Sequence, residues 1–161
     1  MMQANSKWDA RFMKLARDIS GWSKDPSSKI GAVIVDDERR ILSTGYNGFP
    51  RGVEDTEERL HDREQKYPRI VHAEANALLS ALYNGVSVKG ATLYVWGLPV
   101  CSECTKLVIQ SGIKRIVITY PEYAPEKWQT QWNEISKPMI KETGVISITY
   151  LNEKHSSFDG E

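Results

Sequence analysis

Apolar positions along the chain follow two rhythms, one of about 3.6 residues and one of two. Trp8, Phe12, Leu15, Ala16 and Ile19 share a helical face and predict a helix over 7–22. Ser6 reads as its cap with Asp9 as acidic partner, and Gly21 and the Asp25-Pro26 pair stop it. β-Branched runs at 30–35 and 41–46, parted by the charged turn that begins at Asp36-Asp37, predict an antiparallel hairpin. Asn47-Gly48-Phe49-Pro50-Arg51-Gly52 has the chemistry of a loop. The stretch 54–66 is crowded with charges and reads as a solvated helix or a mobile flap.

Ala and Leu dominate 73–83, a strong helix former capped by Asn84-Gly85. A strand at 91–96, a helix at 102–110 and a strand at 115–120 follow. The pattern over 125–143 is helical with an interruption at Pro138, 145–151 is a last strand, and a polar tail begins at 152. The order α-β-β-α-β-α-β-α-β, with strand–helix–strand units in its second half, implies right-handed crossovers and parallel pairing there. The opening hairpin makes the sheet mixed. The expected architecture is a three-layer α/β/α domain over 7–151, with about five strands, helices on both faces and a flexible tail over 152–161.

The 161 residues suffice for one buried core. Lys+Arg and Asp+Glu each number 21, so the formal net charge is zero. Proteins that coat nucleic acid carry a basic excess, so stable nucleic-acid binding is not expected. No apolar run approaches the length a membrane helix needs, and the first residues lack the pattern of a secretory signal. The expectation is a soluble cytoplasmic protein with no membrane partner. The only two cysteines, Cys101 and Cys104, are three positions apart, which excludes a disulfide scaffold and leaves a redox pair, half of a metal site or chance.

His72-Ala73-Glu74 stands 29 positions ahead of Cys101-Ser102-Glu103-Cys104. His72 and Cys101 each fall at the start of a predicted helix, where free N–H groups and the helix dipole stabilise thiolates. One imidazole and two thiolates suit Zn²⁺, and three protein ligands leave a fourth position for water, the mark of a catalytic site. Glu74 is close enough to His72 to act as a proton shuttle beside that water. A redox pair would leave His72 and Glu74 idle. A purely structural zinc module would need a fourth ligand, for which only His61 and His155 remain.

The chain resembles the deoxycytidylate (dCMP) deaminases of the cytidine-deaminase-like superfamily. The likeness runs from about Trp8 to Tyr120 and rests on several motifs. They are Ser23-Lys24-Asp25-Pro26-Ser27, Ile30-Gly31-Ala32-Val33, Gly45-Tyr46-Asn47-Gly48-Phe49-Pro50-Arg51-Gly52 and Lys66-Tyr67-Pro68. His72-Ala73-Glu74-Ala75-Asn76-Ala77 and the C-x-x-C pair complete them, in the H-x-E and C-x-x-C arrangement of zinc nucleobase deaminases. One departure is the residue Val100 between Pro99 and Cys101, where the family has proline directly before cysteine.

The resemblance implies hydrolytic deamination of dCMP to dUMP and ammonia, with Glu74 as proton shuttle and one Zn²⁺ held by His72, Cys101 and Cys104. It implies that Asn47 meets a sugar hydroxyl, and it makes Ala73, Lys29, Arg115 and Tyr120 candidates for binding substrate, Lys29 and Tyr120 at the 5′-phosphate. It further implies a homohexamer regulated by dCTP and dTTP, with Tyr46, Gly48 and Arg51 at the effector site and Mg²⁺ accompanying a triphosphate effector. Gly45, Gly48 and Gly52 would let backbone N–H groups approach phosphates. The rival substrate is dCTP. An RNA- or DNA-editing deaminase is a lower alternative, for which Trp96, Trp128 and Trp132 could stack on bases.

Overall fold

The computed structural model describes residues 6–152. Most of the expected tail, with His155, and the side chain of Ser6 lie outside the described residues. Helix α1 (Ser6–Ser20) leads into the hairpin β1 (Gly31–Val35) and β2 (Ile41–Tyr46). Two short helices follow, α2 (Glu57–His61) and α3 (Arg63–Lys66), and then α4 (Ala73–Tyr83). The second half alternates β3 (Thr92–Trp96), α5 (Ser102–Ser111), β4 (Arg115–Thr119), α6 (Glu126–Gln131), α7 (Lys137–Thr143) and β5 (Ser147–Leu151).

The five strands form one mixed sheet in the order β2-β1-β3-β4-β5. β1 runs antiparallel to both β2 and β3, while β3, β4 and β5 are parallel. Alternation along each strand sorts the core into two layers. Val33, Val35, Tyr94 and Val117 face α1, where Phe12, Met13 and Ala16 cover them. Ala32, Ile34, Leu93, Val95, Ile116 and Ile118 pack on the other face with Ala77 and Ala81 of α4, Val108 of α5 and Ile140 of α7. The three-layer α/β/α fold is therefore as expected, with α1 on one face and α4, α5 and α7 on the other.

Two glycines set how closely the layers approach. A Cβ on Gly31 would lie 1.8 Å from the Ala16 carbonyl oxygen of α1, and one on Gly45 would lie 2.4 Å from the Ala77 nitrogen of α4. Gly45 thus serves helix–sheet packing, which corrects its expected role at a phosphate. Beside it, Ser43 Oγ donates to the Ala77 carbonyl at 2.6 Å.

The helical stretch after β4 differs from one long helix. A 3₁₀ turn at Pro121–Tyr123 precedes α6, and a π turn at Trp132–Ser136 joins α6 to α7. Pro138 has no N–H with which to continue the regular ladder, and the chain widens just before it, with Lys137 N–H bonding the Trp132 carbonyl. The fully buried Trp132 packs edge-on against Tyr150 of β5. No helix among the described residues is long and apolar enough to cross a membrane.

Candidate active site

The placement of β1 between two antiparallel neighbours gathers the site. Gly31 at the start of β1 pairs with Tyr46 at the end of β2 and with Trp96 at the end of β3. The loops 21–30, 47–56 and 97–101 therefore meet at one end of the sheet. His72 and Cys101 are the N-cap residues of α4 and α5, both with extended backbone.

His72 Nδ1 lies 3.3 Å from Cys101 Sγ and 3.4 Å from Cys104 Sγ. Tetrahedral Zn²⁺ at normal bond lengths separates its nitrogen and sulfur ligands by about 3.6 Å. The donor set therefore fits that ion, and it does not fit Mg²⁺, which takes oxygen ligands. Among the described residues this is the one group of three or more His, Cys, Asp or Glu side chains close enough to share a metal. The Cys101 thiol is pulled down to about 4 by its hydrogen bond with Cys104 and then by His72, while the bond to Cys101 and burial push the Cys104 thiol up. A divalent cation shared by both sulfurs stabilises two thiolates where the pair alone stabilises one.

Glu74, in the first turn of α4, is buried. Burial, and then the nearby Cys101 sulfur, raise its carboxyl to about 7. Its carboxyl lines a cavity of about 370 Å³ that also reaches His72 and Cys101. Asn47, Lys66 and Trp128 form other parts of the wall. Asn47 is held on three sides: Nδ2 donates to the Ser28 carbonyl at 2.8 Å and to Asp25 Oδ2 at 3.4 Å, and Oδ1 accepts from Ile30 N–H at 2.9 Å. Gln131 of α6 accepts from Ser102 N–H at 2.8 Å, fixing the helix that bears Trp128 beside Cys101. Val100, between Pro99 and Cys101, is buried in the core, while Leu98 and Pro99 line the cavity.

Three of the substrate candidates lie elsewhere. Arg115 opens β4 at the opposite end of the sheet, paired with Thr92, and its guanidinium grips the buried Asp9 at 2.6 and 3.0 Å. The structure corrects the expectation that it meets substrate. Lys29 is turned out of the cavity by the Asp25 turn; its ammonium donates to the Ser23 carbonyl, and the residue lines a neighbouring groove. Tyr120 is at the correct end of β4 but packs tilted against Tyr123 and edge-on against Tyr150, outside the cavity wall. Ala73 is fully buried in the first turn of α4. Tyr46 and Arg51 are exposed, and Gly48 bridges to Val71.

The stretch 54–66 proves neither fully solvated nor detached. Leu60 and Lys66 are buried, and Arg63, Lys66 and Tyr67 line the cavity. Sequence reasoning passed over Arg63, Lys66 and Lys127 as wall residues and offered Trp128 only as a base stacker of an editing deaminase. Their charges look like ordinary surface in a sequence, and only the Lys66-Tyr67-Pro68 motif marked one of them.

A mixed sheet with a His-Cys-Cys triangle and a buried glutamate at its edge defines a class of zinc-dependent hydrolases acting on amino-substituted bases. The family model described as the cytidine and deoxycytidylate deaminase zinc-binding region matches residues 6–120, and the chain belongs to that family. A relative from Aliivibrio fischeri, described as an uncharacterized deaminase in the luxG 3′ region, is 38% identical over 152 residues, covering 91% of this chain and 95% of its own. The deoxycytidylate deaminase of Mus musculus is 41% identical over 125 residues, covering 73% of this chain and 67% of its own. The crystal structure of the dCMP deaminase of cyanophage S-TIM5 shares the fold. Its TM-score is 0.72 at 21% identity, over 92% of this chain and 100% of the phage chain.

Proposed function

We propose that this chain hydrolyses dCMP to dUMP and ammonia, using a catalytic domain that spans 7–151. The observation that carries the reading is the buried Glu74 carboxyl on the wall of the cavity that His72 and Cys101 also line. The curated relatives named deoxycytidylate deaminase support the choice of base and sugar.

His72, Cys101 and Cys104 would hold Zn²⁺, which when bound supplies Lewis-acid activation of water at neutral pH. Glu74, its carboxyl raised to about 7, can both take and give a proton under those conditions. It takes one from the water that attacks C4 of cytosine and delivers it to N3, which makes C4 electrophilic. It then takes the proton of the new C4 hydroxyl and passes it to the exocyclic amine, so the C4–N bond breaks, ammonia leaves and the C4 carbonyl forms. Oδ1 of Asn47 keeps one lone pair after bonding Ile30 N–H, so it accepts from a sugar hydroxyl rather than donating. Ala73 contributes backbone from the first turn of α4. Arg63 and Lys127 are the exposed cations of the cavity wall and take the 5′-phosphate in place of Lys29.

Control by dCTP and dTTP through Tyr46, Gly48 and Arg51 belongs to the same proposal. In its favour, Gly48 and Val71 exchange two backbone hydrogen bonds, at 2.7 and 3.1 Å, directly before His72. Assembly into a homohexamer is supported by exposed Leu79, Leu82 and Tyr83 along α4, with exposed Leu107 on the adjoining α5.

Ammonia release from dCMP, dCTP, CMP and deoxycytidine tests the reading. The expected result is a kcat/KM for dCMP at least about tenfold above the other three, a margin of about 1.4 kcal/mol. No ammonia from dCMP would overturn it. The rate at subsaturating dCMP should rise or fall when dCTP or dTTP is added.

A further inference from the structure

Lys66 and Asp25 form an ion pair that water scarcely reaches. Nζ lies 3.0 Å from Oδ1, and the side chains keep 5% and 7% of their accessible surface. A buried pair is a weak source of stability, because desolvation offsets much of the attraction. This one sits in the wall of the catalytic cavity and does more than pair. Asp25 Oδ1 also accepts from Ser27 N–H at 2.8 Å and Ser28 N–H at 3.3 Å, and Oδ2 from Asn47 Nδ2. Lys66 Nζ also lies 3.2 Å from Ser27 Oγ. On the far side, Ser23 Oγ donates to the Asn47 carbonyl at 2.8 Å and accepts from Asp25 N–H at 3.2 Å. Five side chains from three separate segments, Ser23, Asp25, Ser27, Asn47 and Lys66, thus close one network that includes the carboxamide of Asn47.

We propose that Lys66 is a positioning residue for substrate, acting through Asp25 to fix which way Asn47 presents its carboxamide. This rests on the dCMP reading above. With the ammonium in place, Asp25 is held where it draws the NH₂ of Asn47 toward itself and the Ser28 carbonyl. Oδ1 is then committed to Ile30 N–H, with its second lone pair left for a sugar hydroxyl. Without the ammonium, Asp25 is an uncompensated buried charge that must attract water or another cation, and Asn47 loses the anchor that sets its orientation. The same ammonium moors the C-terminal end of α3, which lines the cavity, to the loop 25–30.

The test compares Lys66→Met, Lys66→Arg and the double variant Asp25→Asn/Lys66→Met, the last because it leaves no unpaired buried charge and so folds if Lys66→Met does not. Expected for Lys66→Met is a KM for dCMP raised about tenfold or more while kcat falls less than about threefold, the signature of lost binding geometry. Lys66→Arg should bring KM back to within about threefold of the unaltered protein. The double variant should melt near the unaltered protein yet keep the raised KM. All three should retain about one zinc per chain. Hydrogen exchange supplies a readout that needs no substrate: the Ser27, Ser28 and Ile30 amides should exchange faster in Lys66→Met and in the double variant. A folded double variant with unchanged KM and unchanged exchange would overturn the proposal. So would a Lys66→Met protein that loses kcat, KM and zinc together, since that marks a scaffold role only. If the unaltered protein fails to deaminate dCMP, the functional reading falls while the exchange rates still decide the lock.

Discussion

His72 and Cys101 share nearly one backbone conformation, φ −71° and ψ 155° against φ −70° and ψ 166°, and each caps a different helix. Their ligand atoms face one another at 3.3 Å although 29 positions separate them in the chain. An N-cap residue has left the helical conformation, so its side chain projects past the helix end. Two helices that start at the same end of the sheet then deliver imidazole and thiolate to one point. Cys104, one turn into α5, supplies the third donor.

Metal removal should cost both activity and stability. Zinc binds the folded protein and not an ordered unfolded one, so at a hundredfold excess over Kd it contributes about 2.7 kcal/mol. Chelation should therefore lower the melting temperature by roughly 5–10 °C and abolish ammonia release, and added Zn²⁺ should restore both. Calorimetry with and without chelator measures the first effect, and a melting temperature indifferent to chelator would count against the three-ligand site.

Glu74→Gln keeps the size and polarity of the side chain but cannot carry protons. Metal content should stay at about one per chain while kcat falls about 10²–10⁴-fold. Elemental analysis together with a single-turnover assay checks this, and a variant of near-normal rate would remove Glu74 from the mechanism.

Arg115 is a stability residue. Its bidentate grip on Asp9 is nearly dry, with 15% and 2% of the two side chains exposed. Arg115→Met should leave Asp9 unpaired and cost about 3–5 kcal/mol in urea unfolding. KM for dCMP, measured well below the new melting temperature, should not change. A selective rise in KM would return Arg115 to the substrate site.

Tyr94 donates to the same Asp9 at 2.7 Å, and burial, then that bond, push its phenol above the usual value near 10. The sign follows from the protonated form being favoured in the folded state: the contribution is complete below about pH 10 and is lost as pH rises through the folded pKa. Between about pH 9 and pH 11 the unaltered protein should lose more stability than Tyr94→Phe does. At neutral pH the variant should be less stable by about 1.5–3 kcal/mol, the worth of a hydrogen bond to a charged group. Urea titrations at the two pH values decide both points.

The sheet and its helices were legible because their periodicity is strong. β2 begins and ends where the apolar pattern does, at Ile41 and Tyr46, and α4 runs from Ala73 to Tyr83 as its Ala and Leu content requires. The metal triangle was legible too, because His, Cys and Cys at helix starts have few other uses. What escaped was decided by distance in space. Arg115 and Lys66 look alike in a sequence, yet one lies at the far end of the sheet beside Asp9 and the other under the cavity beside Asp25. Trp128 and Lys127 line the site from α6, which Gln131 ties to the start of α5.

The antiparallel seating of β1 between β2 and β3 has a further effect on how the protein can change. It divides the molecule into a working rim and an idle base. At the base, Val35 pairs with Ile41 and Thr92, Thr92 with Arg115, and Arg115 with Ser147. The turns 36–40, 87–91, 112–114 and 144–146 all hang from that end, remote from the chemistry. Lengthening any of them, to carry a label or a fused peptide, should leave the rim untouched, whereas 97–101 has Gly97, Pro99 and Val100 buried and runs straight into Cys101.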